Sequence, residues 1–203
     1  MIEALILFAV LGIFAGLIAG MFGVGGGIIT VPVLVACFIQ YGFEEAIMIQ
    51  MAVGTSLGCI VFTGISSAYA HRQKNAINYS FFKPIALGIV VGAFLGALFA
   101  VQLNGYILKI IIGVFALFVA IQMGINWEIE LKERTKKNQE PYFVGTGIGF
   151  TSSILGIGGG IFSVPYLKAS GLPMTSSIGT SAACGIPIAI FGTLGYIISG
   201  VNN

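Results

Sequence analysis

The 203-residue sequence contains no aspartate, and its seven carboxylates are all glutamates. Only 8% of residues are charged, against about 25% in soluble domains. With 57% of residues hydrophobic, no water-soluble globule of this length could bury the apolar surface. The first 70 residues contain no Lys or Arg, and their only charges are Glu3, Glu44 and Glu45. The chain reads as an integral membrane protein. No basic stripe exists outside two loops, so nucleic acid is excluded as a partner. No carboxylate falls inside an apolar stretch, which argues against a proton relay or a cation site at membrane depth. No His, Cys or Glu cluster has metal-ligand spacing and no GxxxxGK[ST] is present, so no cofactor is expected. The apolar stretches also hold no carboxylate pair and no Ser/His pair, which speaks against an enzyme. Cys37, Cys59 and Cys184 all lie in apolar segments without CxxC spacing, and read as small residues filling helix contacts.

Glycine is what the chain has in abundance, 30 residues, and much of it sits in a phrase written twice. Residues 23–34 read GVGGGIITVPVL and residues 156–167 read GIGGGIFSVPYL, identical at eight of twelve positions. Gly12 and Gly16 match Gly145 and Gly149 at the same offset, and Gly54-Thr55-Ser56 recurs as Gly179-Thr180-Ser181 at an offset eight residues shorter. Glycine-interrupted apolar segments repeated in two halves are the sequence pointer to a transporter site.

A membrane-spanning helix needs ~20 mostly apolar residues. Segments 3–22, 46–69, 84–103, 105–125 and 142–160 qualify, and a sixth, 176–200, is interrupted by Pro187. The N-terminal segment lacks a basic leader region and is expected to be the first, retained span. Segments 28–41 and 161–170, each directly after a glycine run, are expected to be half-helices that enter the membrane without crossing it. The expected fold is all-α: a polytopic membrane protein of two repeated halves, 1–126 and 142–203, joined by a linker at 127–141. The 71–83 connector (His71, Arg72, Lys74, Lys83) and the 127–141 linker (Lys132, Arg134, Lys136, Lys137) place those two loops in the cytoplasm. Charge does not decide whether the halves run parallel or inverted; the shortness of the second half-helix favours parallel. Small residues four apart (Gly12, Gly16, Gly20; Gly88, Gly92, Gly96; Gly145, Gly149) let helix backbones approach closely in lipid.

Three successive glycines hold a helix poorly, each costing ~1 kcal/mol relative to Ala. Irregular backbone at membrane depth survives only where protein buries it or water reaches it. Gly25, Gly26 and Gly27, with Gly158, Gly159 and Gly160, are therefore expected to be unwound backbone lining a cavity. The half-helix starting there leaves N–H groups without intrahelical partners, and with the helix dipole these favour an anion. Thr30 and Ser163, and Thr55, Ser56, Thr180 and Ser181 of the GTS copies, are expected to add hydroxyl donors.

At these residues the chain resembles the sulfite exporter TauE/SafE family of membrane permeases. The resemblance rests on the doubled G-x-G-G-G…VP-x-L signature, the two GTS copies and the Gly171-Leu172-Pro173 turn, and covers nearly the whole chain. It implies a secondary transporter of the cytoplasmic membrane that moves sulfite, sulfonates or related organic anions. Members usually continue past the second GTS helix with two further spans, so a chain ending at Asn203 is expected to be either a shortened member or a fragment. Expected partners are a small anion and the lipid bilayer, with a second copy of the chain left open. The rival reading is a membrane-embedded scaffold packing through its GxxxG ridges.

Overall fold

The computed structural model describes residues 9–10, 12–14, 26–124 and 140–201. Gly25, Gly16 and Gly20, nearly all of the expected 3–22 span and linker residues 127–139 lie outside them. Residues 9–10 and 12–14 are helical, and from Gly27 on the described residues form, in order, α1 Gly27–Gln40, α2 Glu45–Gln73, α3 Tyr79–Gln102, α4 Gly105–Gly124, α5 Glu140–Leu155, α6 Gly160–Ala169 and α7 Met174–Val201. No strand occurs among the described residues. Within α2, α3, α4 and α7 lie four stretches long and apolar enough to cross a membrane. α2 has 29 residues, or roughly 43 Å at ~1.5 Å per residue.

Polar and apolar residues are distributed as lipid demands. Phe62 is 77% exposed and Phe143 75%, whereas Ser56, Ser152, Ser153, Ser163, Ser177, Thr180 and Ser181 are all buried. A bilayer accepts an apolar exterior, and hydroxyls inside are affordable because short hydrogen bonds to backbone satisfy most of them.

Small residues set the closest approaches. Gly88, Gly92 and Gly96 of α3 face Tyr142, Thr146 and Phe150 of α5, and a Cβ at any of the three would strike the facing backbone. Gly145 and Gly149 return the fit against Ile85 and Ile89. The Ser153 hydroxyl then donates to the Ala93 carbonyl across the same seam at 2.8 Å. The register shows that α3 and α5 run in the same direction, which puts the 74–78 connector and Glu140 at one end of the bundle. That end carries His71, Arg72 and Lys74 and is termed the basic end below.

The halves are inverted. Gly54, Gly58 and Gly64 of α2 face Tyr196, Thr193 and Ile186 of α7, a register that runs in opposite directions. Meanwhile α7 runs alongside α3, with Thr180 against Asn78 at the basic end and Gly195 against Ala97 further on. The expectation of parallel halves is therefore wrong. The expected 142–160 span is corrected too: α5 stops at Leu155, the chain turns at Gly156–Gly159, and α6 doubles back to the basic end. The second half-helix is short, 10 residues, but its shortness goes with inverted halves because the helix before it also stops short.

Both half-helices stop in the same way. Gly42 and Gly171 take positive φ (71° and 85°). Phe43 and Leu172 donate back to the Phe38 and Leu167 carbonyls, the six-to-one bond of a left-handed helix stop. α1 has 14 residues and α6 has 10, so four of the first copy's eight extra residues lengthen its half-helix. Pro32 and Pro165 are tolerated within these helices.

Candidate functional site

The glycine turn at 156–160 lies near the middle of the bundle. Gly158 packs by Ile60 of α2 and Gly185 of α7, and Gly159 packs by Ile188 of α7 and by Ile148 and Ser152 of α5. Gly159 has φ +73°, a left-handed conformation that only glycine adopts cheaply, and it caps α6. Gly27, the first residue of α1, is packed directly on the Gly156 carbonyl and the Ile157 Cα. Both half-helices therefore begin beside one turn and diverge, α1 away from the basic end and α6 towards it. Their dipoles present two partial positive ends at mid-depth. The first N–H groups of α6, those of Gly160 and Ile161, have no carbonyl one turn back to accept them.

The hydroxyls are arranged differently from expectation. Thr30 donates to the Gly26 carbonyl at 2.7 Å and Ser163 to the Gly159 carbonyl at 2.8 Å, the same bond in both copies. Ser181 contacts the Ser163 hydroxyl at 2.6 Å. Because Ser163 spends its proton on Gly159, Ser181 is the donor of that pair. Ser56 donates to the Gly156 carbonyl at 2.9 Å. Four of the expected ligand donors thus hold the glycine turns in shape. Thr180 lies apart from the turn and accepts from the Asn78 N–H at 2.9 Å, at the basic end. Thr55 is the outlier in the other direction: it is exposed and lines a cavity of about 680 Å³ at the opposite end, with Gln50, Gly54, Thr193 and Tyr196.

Sequence reading missed three groups. The Ser152 hydroxyl, beside Gly159, is buried without a partner among the described residues, as are Gln50 Oε1 and Thr193 Oγ1. A buried unpaired polar atom costs about 1–3 kcal/mol. Ser152-Ser153 within an otherwise apolar, glycine-rich helix was the available signal. The Ser153 hydroxyl donates to the Ala93 carbonyl and the Ser153 carbonyl accepts from the Tyr196 hydroxyl, whereas the Ser152 hydroxyl has no partner among the described residues. The described residues contain no metal-binding group of His, Cys, Asp or Glu.

The sequence matches the sulfite exporter TauE/SafE family over residues 8–203. The chain belongs to the TauE/SafE family. A relative described as "probable membrane transporter protein" in Haemophilus influenzae is 35% identical over 206 residues, covering 100% of this chain and 77% of the relative. One of the same description in Methanocaldococcus jannaschii is 30% identical, covering 97% and 73%. A third, YunE of Bacillus subtilis, is 28% identical, covering 98% and 80%. No solved structure matches. Family and relatives make this TauE/SafE chain a multi-pass membrane transporter.

Proposed function

We propose that the protein carries a small anion, such as sulfite or a sulfonate, by alternating access around the glycine turn. The observation that carries this reading is the convergence of two half-helix N-termini on one mid-depth turn, with no charged side chain among its described neighbours. Donors there are the first N–H groups of α6 and the Ser152 hydroxyl. The hydroxyls of Thr30, Ser56, Ser163 and Ser181 act one step back, fixing the carbonyls of Gly26, Gly156 and Gly159 away from the anion. The cavity at Thr55 serves as the vestibule from the end opposite the basic residues. The halves 1–126 and 142–203 supply one half-helix each, and the basic end faces the cytoplasm.

Purified protein in liposomes, challenged with sulfite, a sulfonate, chloride and a monovalent cation, tests this. Flux of the sulfur anions, competition among them and no cation flux are expected. Because Ser and Thr do not titrate near neutrality, the protein's own site should lose little activity between pH 5 and 8. Cation flux in place of anion flux would overturn the reading.

A further inference from the structure

A second cavity, of about 330 Å³, opens between α1, α2 and α4 at the end away from the basic residues. We propose that it holds the headgroup of a phospholipid bearing a primary ammonium. Its apolar wall includes Ile39 and Met48, and its polar groups are Glu45, Asn104, Tyr106 and Lys109.

Lys109 is unexpected where it stands. It lies one turn inside the N-terminus of α4, where the helix dipole disfavours a cation. It is the only Lys or Arg at this end among the described residues. Glu45 lines the same cavity, yet neither forms an ion pair with the other or with any described residue. Opposite charges facing one cavity without touching suit a ligand that carries both signs. The Asn104 side-chain Oδ1 accepts from the Tyr106 N–H at 3.0 Å, which leaves the side-chain NH₂ to donate. Lys109, the Asn104 NH₂ and the Tyr106 hydroxyl then form a donor set for a phosphate. Glu45 is the acceptor for an ammonium two carbons away. A trimethylated ammonium has no N–H and would forfeit that contact.

The surroundings identify a lipid as the source. Tyr106 is 71% exposed at the α3–α4 turn, where an amphipathic ring marks a membrane surface. Below it Ile107, Ile110 and Val114 are exposed along α4, the least buried of the spanning helices. Acyl chains descending from the cavity would lie on them.

Native mass spectrometry and thermal shifts of the full chain, delipidated and offered phosphatidylethanolamine, phosphatidylcholine or phosphatidylglycerol, test the assignment. The unmodified protein should retain phosphatidylethanolamine over phosphatidylcholine. Lys109→Gln should weaken retention of it about fivefold, the size of one lysine contact near a membrane surface. Lys109→Arg should restore it. Glu45→Gln should erase the preference for the primary ammonium while leaving overall phospholipid retention. Equal retention of the two zwitterionic lipids by the unmodified protein, or unchanged retention in Lys109→Gln, would overturn the proposal. Stabilisation by soluble phosphoethanolamine equal to that by the lipid would overturn the lipid as occupant. Both residues are exposed, so the variants should fold, and the melting temperature without lipid verifies that.

Discussion

Gly27 sits on the Gly156 carbonyl so closely that no side chain fits between them. The two copies of one sequence phrase thus touch in space, and the contact is backbone on backbone. Among the described residues Gly26, one residue earlier, has only the Thr30 hydroxyl within reach of an added Cβ, at 3.7 Å.

Those neighbours should therefore separate packing from transport. Gly27→Ala forces the 156–157 backbone to move and should lower thermal stability along with flux. Gly26→Ala should leave melting unchanged, so any loss of flux reports on the substrate path. Normal flux in Gly26→Ala would remove that glycine from the path.

Gly159 behaves as neither. Alanine there takes a left-handed conformation costing about 1–2 kcal/mol, and its Cβ collides with Ile188. Gly159→Ala should destabilise the protein before it affects any ligand, which a chemical-denaturation series would register. An unchanged midpoint would mean the turn relaxes freely.

The hydroxyls divide by partner. Ser56→Ala removes a buried bond to Gly156 and Thr180→Val leaves the Asn78 N–H unpaired, each costing about 1–3 kcal/mol. Thr55→Val should spare stability and reduce flux. If Thr55→Val and Thr180→Val had equal effects on both, the division would be wrong.

Inversion of the halves is checked by side-specific labelling in a cysteine-free background. Cysteines at Lys74 and Thr175 should react from one side, and at Phe43 and Asn104 from the other. Reaction of Thr175 and Asn104 from the same side would restore the parallel arrangement.

Much of this was legible in the sequence. The half-helices fall at 27–40 and 160–169 because the glycine runs and the later glycine stops mark both ends of each. The long spans appear because apolar length alone defines them. What was not legible was direction. Residues 142–160 are apolar throughout, and nothing in their composition shows that Gly156 turns the chain back rather than carrying it across. The roles of Ser163 and Ser181 were equally hidden, since a hydroxyl near a glycine run can donate to a ligand or to the run itself. Only the partners' positions decide it: the Gly159 carbonyl lies 2.8 Å and the Ser181 hydroxyl 2.6 Å from the Ser163 hydroxyl.

Viewed from either face, the centre of this protein presents the same device: a short helix whose positive end points inward, backed by a hydroxyl tied to its own glycine. On the proposed reading, such a centre has no rectifier. Any preference for import over export must come from the unlike ends, the charged loops on one side and the Thr55 vestibule on the other, or from the gradient that the membrane supplies.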